Sequence, residues 1–269
     1  MALSSIITLT SDFGLIDHFV GVMKGVILRI FPEAHIVDIN HSVQAFDVLD
    51  GALAISQAYS YFPDGTVHLV VVDPGVGTAR RPILATTERH HFIAPDNGVL
   101  SLVYDREERL SVRHVTSEHY FLPDRSSTFD GRDIFSPVAA NLAKGVHPRN
   151  FGEEISDFVR FAAPRPKPID EHTLRGVVLK VDRFGNLITN IAPEDAPLFG
   201  TNPPAFKIVV GGKGQISRVC ASYAEGGPGE VVGILGSMGF LELAANRGSA
   251  AQLLGASKGS DVNVVMEGG

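Results

Sequence analysis

The sequence predicts an α/β protein, with an N-terminal, mostly parallel sheet flanked by helices and a smaller C-terminal β-barrel domain. Three observations point there. The first part of the chain alternates short apolar runs with segments of helical periodicity. Residues 162–173, AAPRPKPIDEHT, carry three prolines and no period of either kind. Beyond them, short strand-like segments separated by Gly-rich or Pro-containing turns dominate. The expected boundaries are 1–163 for the α/β domain, 164–173 for a linker and 174–269 for the β-barrel domain.

In chain order, IITLT at 6–10 reads as a strand that stops at Ser11, Asp12, Phe13 and Gly14. Over 17–31, Phe19, Val22, Met23, Val26, Ile27 and Ile30 recur at steps of three and four, the spacing of a helix with one buried face, and Pro32 ends it. A second strand at 35–39 leads to a second helical stretch, about 48–61, striped by Leu49, Ala52, Leu53, Ile55, Ala58 and Tyr59. The third strand is 67–72. Strands apolar on both faces and joined by helices describe a covered parallel sheet, which binds ligands beyond the carboxyl ends of its strands. Asp12, Asp73 and, after HFIA at 91–94, Asp96 then stand at one edge. Residues 133–144 form the last helix of this half, with Asp133 compensating its dipole. In the second half, 176–181, 206–210, 216–222, 230–235 and 261–266 read as strands, while 242–246 and 250–254 read as short helices.

Composition narrows the function classes. With 23 Lys and Arg against 30 Asp and Glu, the net charge of −7 argues against a nucleic-acid partner. No apolar run approaches the roughly 18 residues of a membrane span. The first basic residue is Lys24, so no secretory leader is expected. A single cysteine, Cys220, leaves no disulfide framework within the chain and fits a reducing cytoplasm. The ten histidines do not pair at metal-ligand spacing, and the adjoining His90 and His91 would leave a strand on opposite faces, so no metal site is expected.

Generic motifs fail. DPGVGTARR lacks the Lys-Ser/Thr ending of a phosphate-binding loop, and GSMGF is not a hydrolase serine elbow. Three other strings carry two readings each. VVDPGVGTARR ends a buried strand with an acid, and seven residues separate Asp73 from Arg80, so the loop is either a turn held by an ion pair or part of a ligand site. STFDGRDIF places Asp130, Arg132 and Asp133 ahead of a helix, as a cap or as a site. DRFGNLITNI at 182–191 opens the second half with an acid, a glycine turn and two amides, as a hairpin or as a site.

Six strings occur in order: TSDFG (10–14), VVDPGVGTARR (71–81), APDNG (94–98), TFDGRDIF (128–135), DRFGNLITNI (182–191) and ILGSMGFLELAANRG (234–248). In this the chain resembles the S-adenosylmethionine (SAM) hydroxide adenosyltransferases, or SAM hydrolases, the non-halogenating relatives of the fluorinase and chlorinase. The resemblance spans about 6–248. It implies hydrolysis of SAM to adenosine and methionine, no cofactor because SAM is itself the substrate, and a homotrimer with active sites between subunits.

By motif, Asp12 resembles the acid that holds the ribose hydroxyls, Phe46 the aromatic position beside the ribose, and Asp17 a contact to the methionine end. Asp182 resembles the partner of the methionine ammonium, Asn186 an adenine-binding residue and Ser237 a ligand of the methionine carboxylate. The backbone near Asn246 and Arg247 resembles the adenine edge reader. Met238 stands where the halogenases carry an arginine. Asp73 and Arg80 match two members of the family's catalytic set, and Asp73 replaces the halogenase tyrosine. The third member is a histidine in TFHGRD, and here TFDGRD puts Asp130 in its place. Three functions therefore stand side by side: a SAM hydrolase in which Asp130 binds the water, a SAM- or adenosine-binding module with weak or no turnover, and a SAM-dependent halogenase.

Overall fold

A computed structural model describes residues 5–199, 203–212 and 214–266. The chain divides into two compact units, Met1–Ala163 and Pro164–Gly269. The stretch expected as a linker falls in the second unit, where it contains strand β8 and the start of β9.

The first unit is built on a seven-stranded sheet: β1 (Ile6–Ser11), β2 (His35–Asn40), β3 (Val67–Val71), β4 (Pro82–Thr86), β5 (His91–Pro95), β6 (Ser111–His114) and β7 (Glu154–Ile155), in the order β2-β1-β3-β5-β4-β6-β7. β2, β1, β3 and β5 run parallel; β4, β6 and β7 are antiparallel to their neighbours. The sheet is thus mixed, and the expectation of a mostly parallel one is corrected. The cause is local. No helix follows β3, and the four residues from Thr87 to His90 turn β4 straight into β5, with Thr87 N donating to His90 O at 2.9 Å; a connection that short can join only antiparallel strands.

The helices form where the three- and four-residue spacing places them: α1 (Phe19–Ile30) buries Val20, Met23 and Ile27, and α2 (Val48–Ala58) begins at Asp47, whose carboxylate accepts Asp50 N at 3.0 Å. The short α3 (Ser101–Tyr104) follows β5. Instead of one helix from 133, residues Gly131–Phe135 form a π turn that runs into α4 (Ser136–Ala143). One core packs α1 and α4 on β1 and β3 through Ile7, Leu9, Met23, Leu69, Phe135 and Phe151.

The second unit is a nine-stranded sheet of β8 (Lys167–Pro168), β9 (Thr173–Val181), β10 (Leu187–Thr189), β11 (Phe206–Val210), β12 (Gly214–Ile216), β13 (Val219–Cys220), β14 (Val231–Leu235), β15 (Leu241–Ala245) and β16 (Asp261–Met266). The order is β12-β11-β16-β9-β10-β15-β14-β13, with β8 on β9. It curls as a half-barrel over Val178, Leu187, Ile208, Leu243 and Val264; among the described residues no ladder closes β12 onto β13. The helix expected at 242–246 is instead β15, buried along its length and paired on both sides, because sheet partners outweigh the helix propensity of Leu, Glu and Ala. The helix expected at 250–254 is α5 (Ala250–Leu254), whose start Ser249 caps through Gln252 N at 3.2 Å.

Candidate functional site

In the first unit the parallel register sets Ser11 of β1 beside Val71 of β3, so Asp12 and Asp73 leave the same sheet edge from adjacent strands. From Asp73 the chain makes a tight loop, with Thr78 N donating to Gly75 O at 3.1 Å and Gly75 N to Asp73 Oδ1 at 3.2 Å. The loop returns Arg80 to Asp73. Arg80 Nε donates to both carboxylate oxygens, at 2.9 and 3.1 Å, and Nη2 also reaches Oδ2.

Gly77, at φ +77°, lets this loop lie against the segment before the π turn, since a Cβ there would stand 2.6 Å from Ser127 O. That contact brings Asp130 within reach, and Arg80 Nη2 donates to Asp130 Oδ2 as well. The guanidinium also lies over Phe135, 5.2 Å from the ring centroid. All three charged side chains are largely buried. Burial by itself would lower the Arg80 pKa, but the hydrogen bonds and charges of the two aspartates outweigh it and hold the guanidinium above its ordinary value. The ion-paired turn read from the Asp73 string is what forms, and it sets a charged cluster beyond the carboxyl ends of the parallel strands.

Asp12 Oδ2 accepts Phe46 N at 2.9 Å. Phe46 holds φ +65° and is 74% exposed, a strained backbone and an exposed aromatic on the same residue. Asp17 stands exposed in the turn before α1, beside Leu15 and Ile16, and no hydrogen bond ties it to the Arg80 cluster. The other candidates at this edge are structural. Asp96 holds Arg81 at 2.9 and 2.7 Å and accepts Val159 N, and the fully buried Asp133 holds Arg132 and Ser126 N instead of a helix terminus. Among the described residues no three His, Cys, Asp or Glu side chains converge as a metal site.

In the second unit a cavity of about 680 Å³ gathers Asp182, Asn186, Ser237 and Arg247, the four residues singled out there, together with Met238. The turn between β9 and β10 builds one wall. Asp182 Oδ1 accepts Phe184 N and Asn186 N at 2.9 and 2.8 Å, and Oδ2 accepts Asn186 Nδ2 at 3.0 Å. The hairpin reading of this string holds, and the same turn aims both side chains into the cavity. The hairpin between β14 and β15 supplies Ser237, and Arg247 follows β15 at φ +56°. Asn246 is turned away, its amide bound to Gly226 O at 2.9 Å.

Sequence reasoning missed Glu242 and Tyr223, which line the same cavity and meet at 2.7 Å, the Tyr223 hydroxyl donating to Glu242 Oε1. A signal existed for Glu242, the one acid in the apolar string FLELAA. Burial raises the Glu242 pKa, the Tyr223 hydrogen bond opposes it and Asp182 adds to it; burial and Glu242 push the Tyr223 hydroxyl up to about 12.

Comparison with known proteins matches residues 7–152 to the SAM hydroxide adenosyltransferase N-terminal domain and 176–263 to the C-terminal domain of the same family. The chain belongs to this family. Among its relatives, a protein named (R)-S-adenosyl-L-methionine hydrolase in Thermus thermophilus is 38% identical, over 95% of this chain and 97% of its own length. A protein of the same name from Salinispora tropica is 36% identical over 98% and 99%. A fluorinase from an Actinoplanes species is 31% identical over 96% and 97%. The solved structure of an uncharacterized conserved protein from Thermotoga maritima superposes with a TM-score of 0.88 at 36% identity, covering 96% of this chain and 99% of that one.

Proposed function

We propose that this member of the family hydrolyses SAM to adenosine and L-methionine, with the (R) sulfonium configuration that its hydrolase relatives carry in their names. The observation that carries the reading is the placement of Arg80 between Asp73 and Asp130 at the ligand-binding edge of the sheet.

Water oxygen bonds to the ribose 5' carbon as the carbon–sulfur bond breaks. The bond pair moves to sulfur, so the sulfonium leaves as the neutral thioether of methionine and needs no acid. What the protein must supply is a placed and activated water. Asp130 Oδ1, which has no partner among the described residues, accepts a hydrogen from that water and then its proton. Asp73 fixes the guanidinium by a two-nitrogen grip, and Arg80 stabilises the charge that develops on the water oxygen. Two carboxylates so close would oppose each other's ionisation, and the cation shared between them removes that conflict.

Asp12 receives the ribose hydroxyls through Oδ1, with Phe46 beside the sugar; Asp17 meets the methionine end. In the cavity of the second unit, Asn186 and the backbone at Arg247 read adenine, while Asp182 and Ser237 take the amino-acid end. No cofactor takes part in this scheme. The assembly proposed is a homotrimer in which the first unit of one subunit meets the second unit of the next. Exposed Leu15, Ile16 and Phe46 on one unit and Phe184 on the other support it, as apolar surface beside each half of the site. The buried, unpaired Cys220 supports work in the cytoplasm.

Incubation of the purified protein with each SAM epimer, followed by chromatography, tests the reading. Adenosine and methionine in equal amounts are expected. SAM bound and returned unchanged would favour a binding module, and a 5'-halogenated adenosine formed in chloride or fluoride would favour a halogenase.

A further inference from the structure

We propose that Glu242, positioned by Tyr223, is the principal acceptor for the substrate's α-ammonium group, deepening the functional reading above. The acceptor count decides it. A carboxylate offers about four lone-pair sites, and Asp182 has given three of them to Phe184 N, Asn186 N and Asn186 Nδ2. An ammonium brings three N–H donors, more than the remainder of Asp182 can receive. Glu242 is only 6% exposed and lines the same cavity, yet among the described residues it accepts a single hydrogen bond, from Tyr223 to Oε1. Its Oε2 has no partner among the described residues.

Placement agrees with acceptor count. Oε2 lies against Gly236, where an added Cβ would come within 2.5 Å of it, and Gly236 immediately precedes Ser237. The ammonium and carboxylate of an α-amino acid share one carbon, so the acceptor of the first must adjoin the donor to the second. Glu242 and Ser237 meet that condition. Two acids, Asp182 and Glu242, facing one cavity also favour a cationic ligand, and a buried carboxylate is stabilised by an arriving positive charge. Tyr223 fixes the orientation of Oε1 and so leaves Oε2 toward the cavity.

The test compares ligands with and without the amino-acid end on the full-length protein: S-adenosylhomocysteine, which keeps the ammonium, against adenosine and 5'-methylthioadenosine, which lack it. Glu242→Gln keeps the shape and the Tyr223 contact; it is expected to weaken S-adenosylhomocysteine at least roughly tenfold and leave the two ammonium-free ligands unchanged. Tyr223→Phe is expected to weaken the same ligand by a smaller factor. Equal binding of S-adenosylhomocysteine by Glu242→Gln and the parent overturns the proposal, as does equal weakening of all three ligands, which marks a structural role. If Glu242→Gln does not fold, Gly236→Ala, which crowds Oε2, takes its place with the same expected pattern. Failure of the parent protein to bind any of the three ligands would instead sink the functional reading itself.

Discussion

Arg80 Nε lies 2.9 and 3.1 Å from the two carboxylate oxygens of Asp73, so the guanidinium is held in place by the fold itself. Its remaining reach goes to Asp130, which makes one guanidinium the hub of two acids, one 50 residues away from it along the chain and the other seven. Groups arranged this way act on developing charge more than on substrate binding.

Asp73→Ala and Arg80→Ala are each expected to lower kcat by at least roughly tenfold, about 1.4 kcal/mol of barrier, with KM nearly unchanged. Steady-state kinetics check this. A rise in KM at constant kcat would mean that the cluster binds ground-state substrate instead.

Asp130→His separates two histories of the site. If Asp130 is a weakened form of the family histidine, restoring that residue raises turnover; if Asp130 is the water-binding base argued above, Asp130→His and Asp130→Asn both lower it, by roughly a hundredfold for general-base loss. The second outcome is expected, and full activity in Asp130→Asn would exclude the base role.

Asp12→Ala is expected to raise KM, since it removes the proposed ribose acceptor and frees Phe46 N from its partner. Phe46→Gly tests the strain at φ +65° from the other side. Removing an exposed ring and a left-handed non-glycine residue, worth on the order of 1 kcal/mol, holds or raises Tm while KM rises. A drop in Tm without a change in KM would make Phe46 a structural residue.

Burial lowers the pKa of His68 and His90, and burial with the neighbouring His90 lowers His91 to about 4. The three are neutral in the fold, with His68 Nδ1 at 2.7 Å from Thr8 Oγ1 and His90 Nε2 buried without a partner among the described residues. Unfolded histidines titrate near 6.5, so below that pH the unfolded chain binds more protons than the native one. Stability is full above about pH 6.5 and declines as pH falls toward 4, by roughly 1.4 kcal/mol per pH unit for each histidine charged only when unfolded. Urea midpoints measured at pH 7.5 and pH 5 should differ accordingly; equal midpoints would show that these rings are protonated in the native state.

Much of this was legible from the chain. Steps of three and four residues set α1 and α2, and the seven-residue return from Asp73 to Arg80 is local enough to read. β4 was not, because PILAT begins with proline and carries too few residues to show a period. β15 was misread because LELAA is rich in helix formers, and only its neighbours β10 and β14 make it a strand. The Asp130 contact to Arg80 and the Tyr223 contact to Glu242 cross turns and strands, so no spacing announces them.

In the proposed reaction water attacks the ribose 5' carbon. Turnover of SAM in oxygen-18 water, with mass spectrometry of both products, tests it most directly. One labelled oxygen is expected at the 5' position of adenosine and none in methionine. Unlabelled adenosine, or label carried by the amino-acid product, would contradict it.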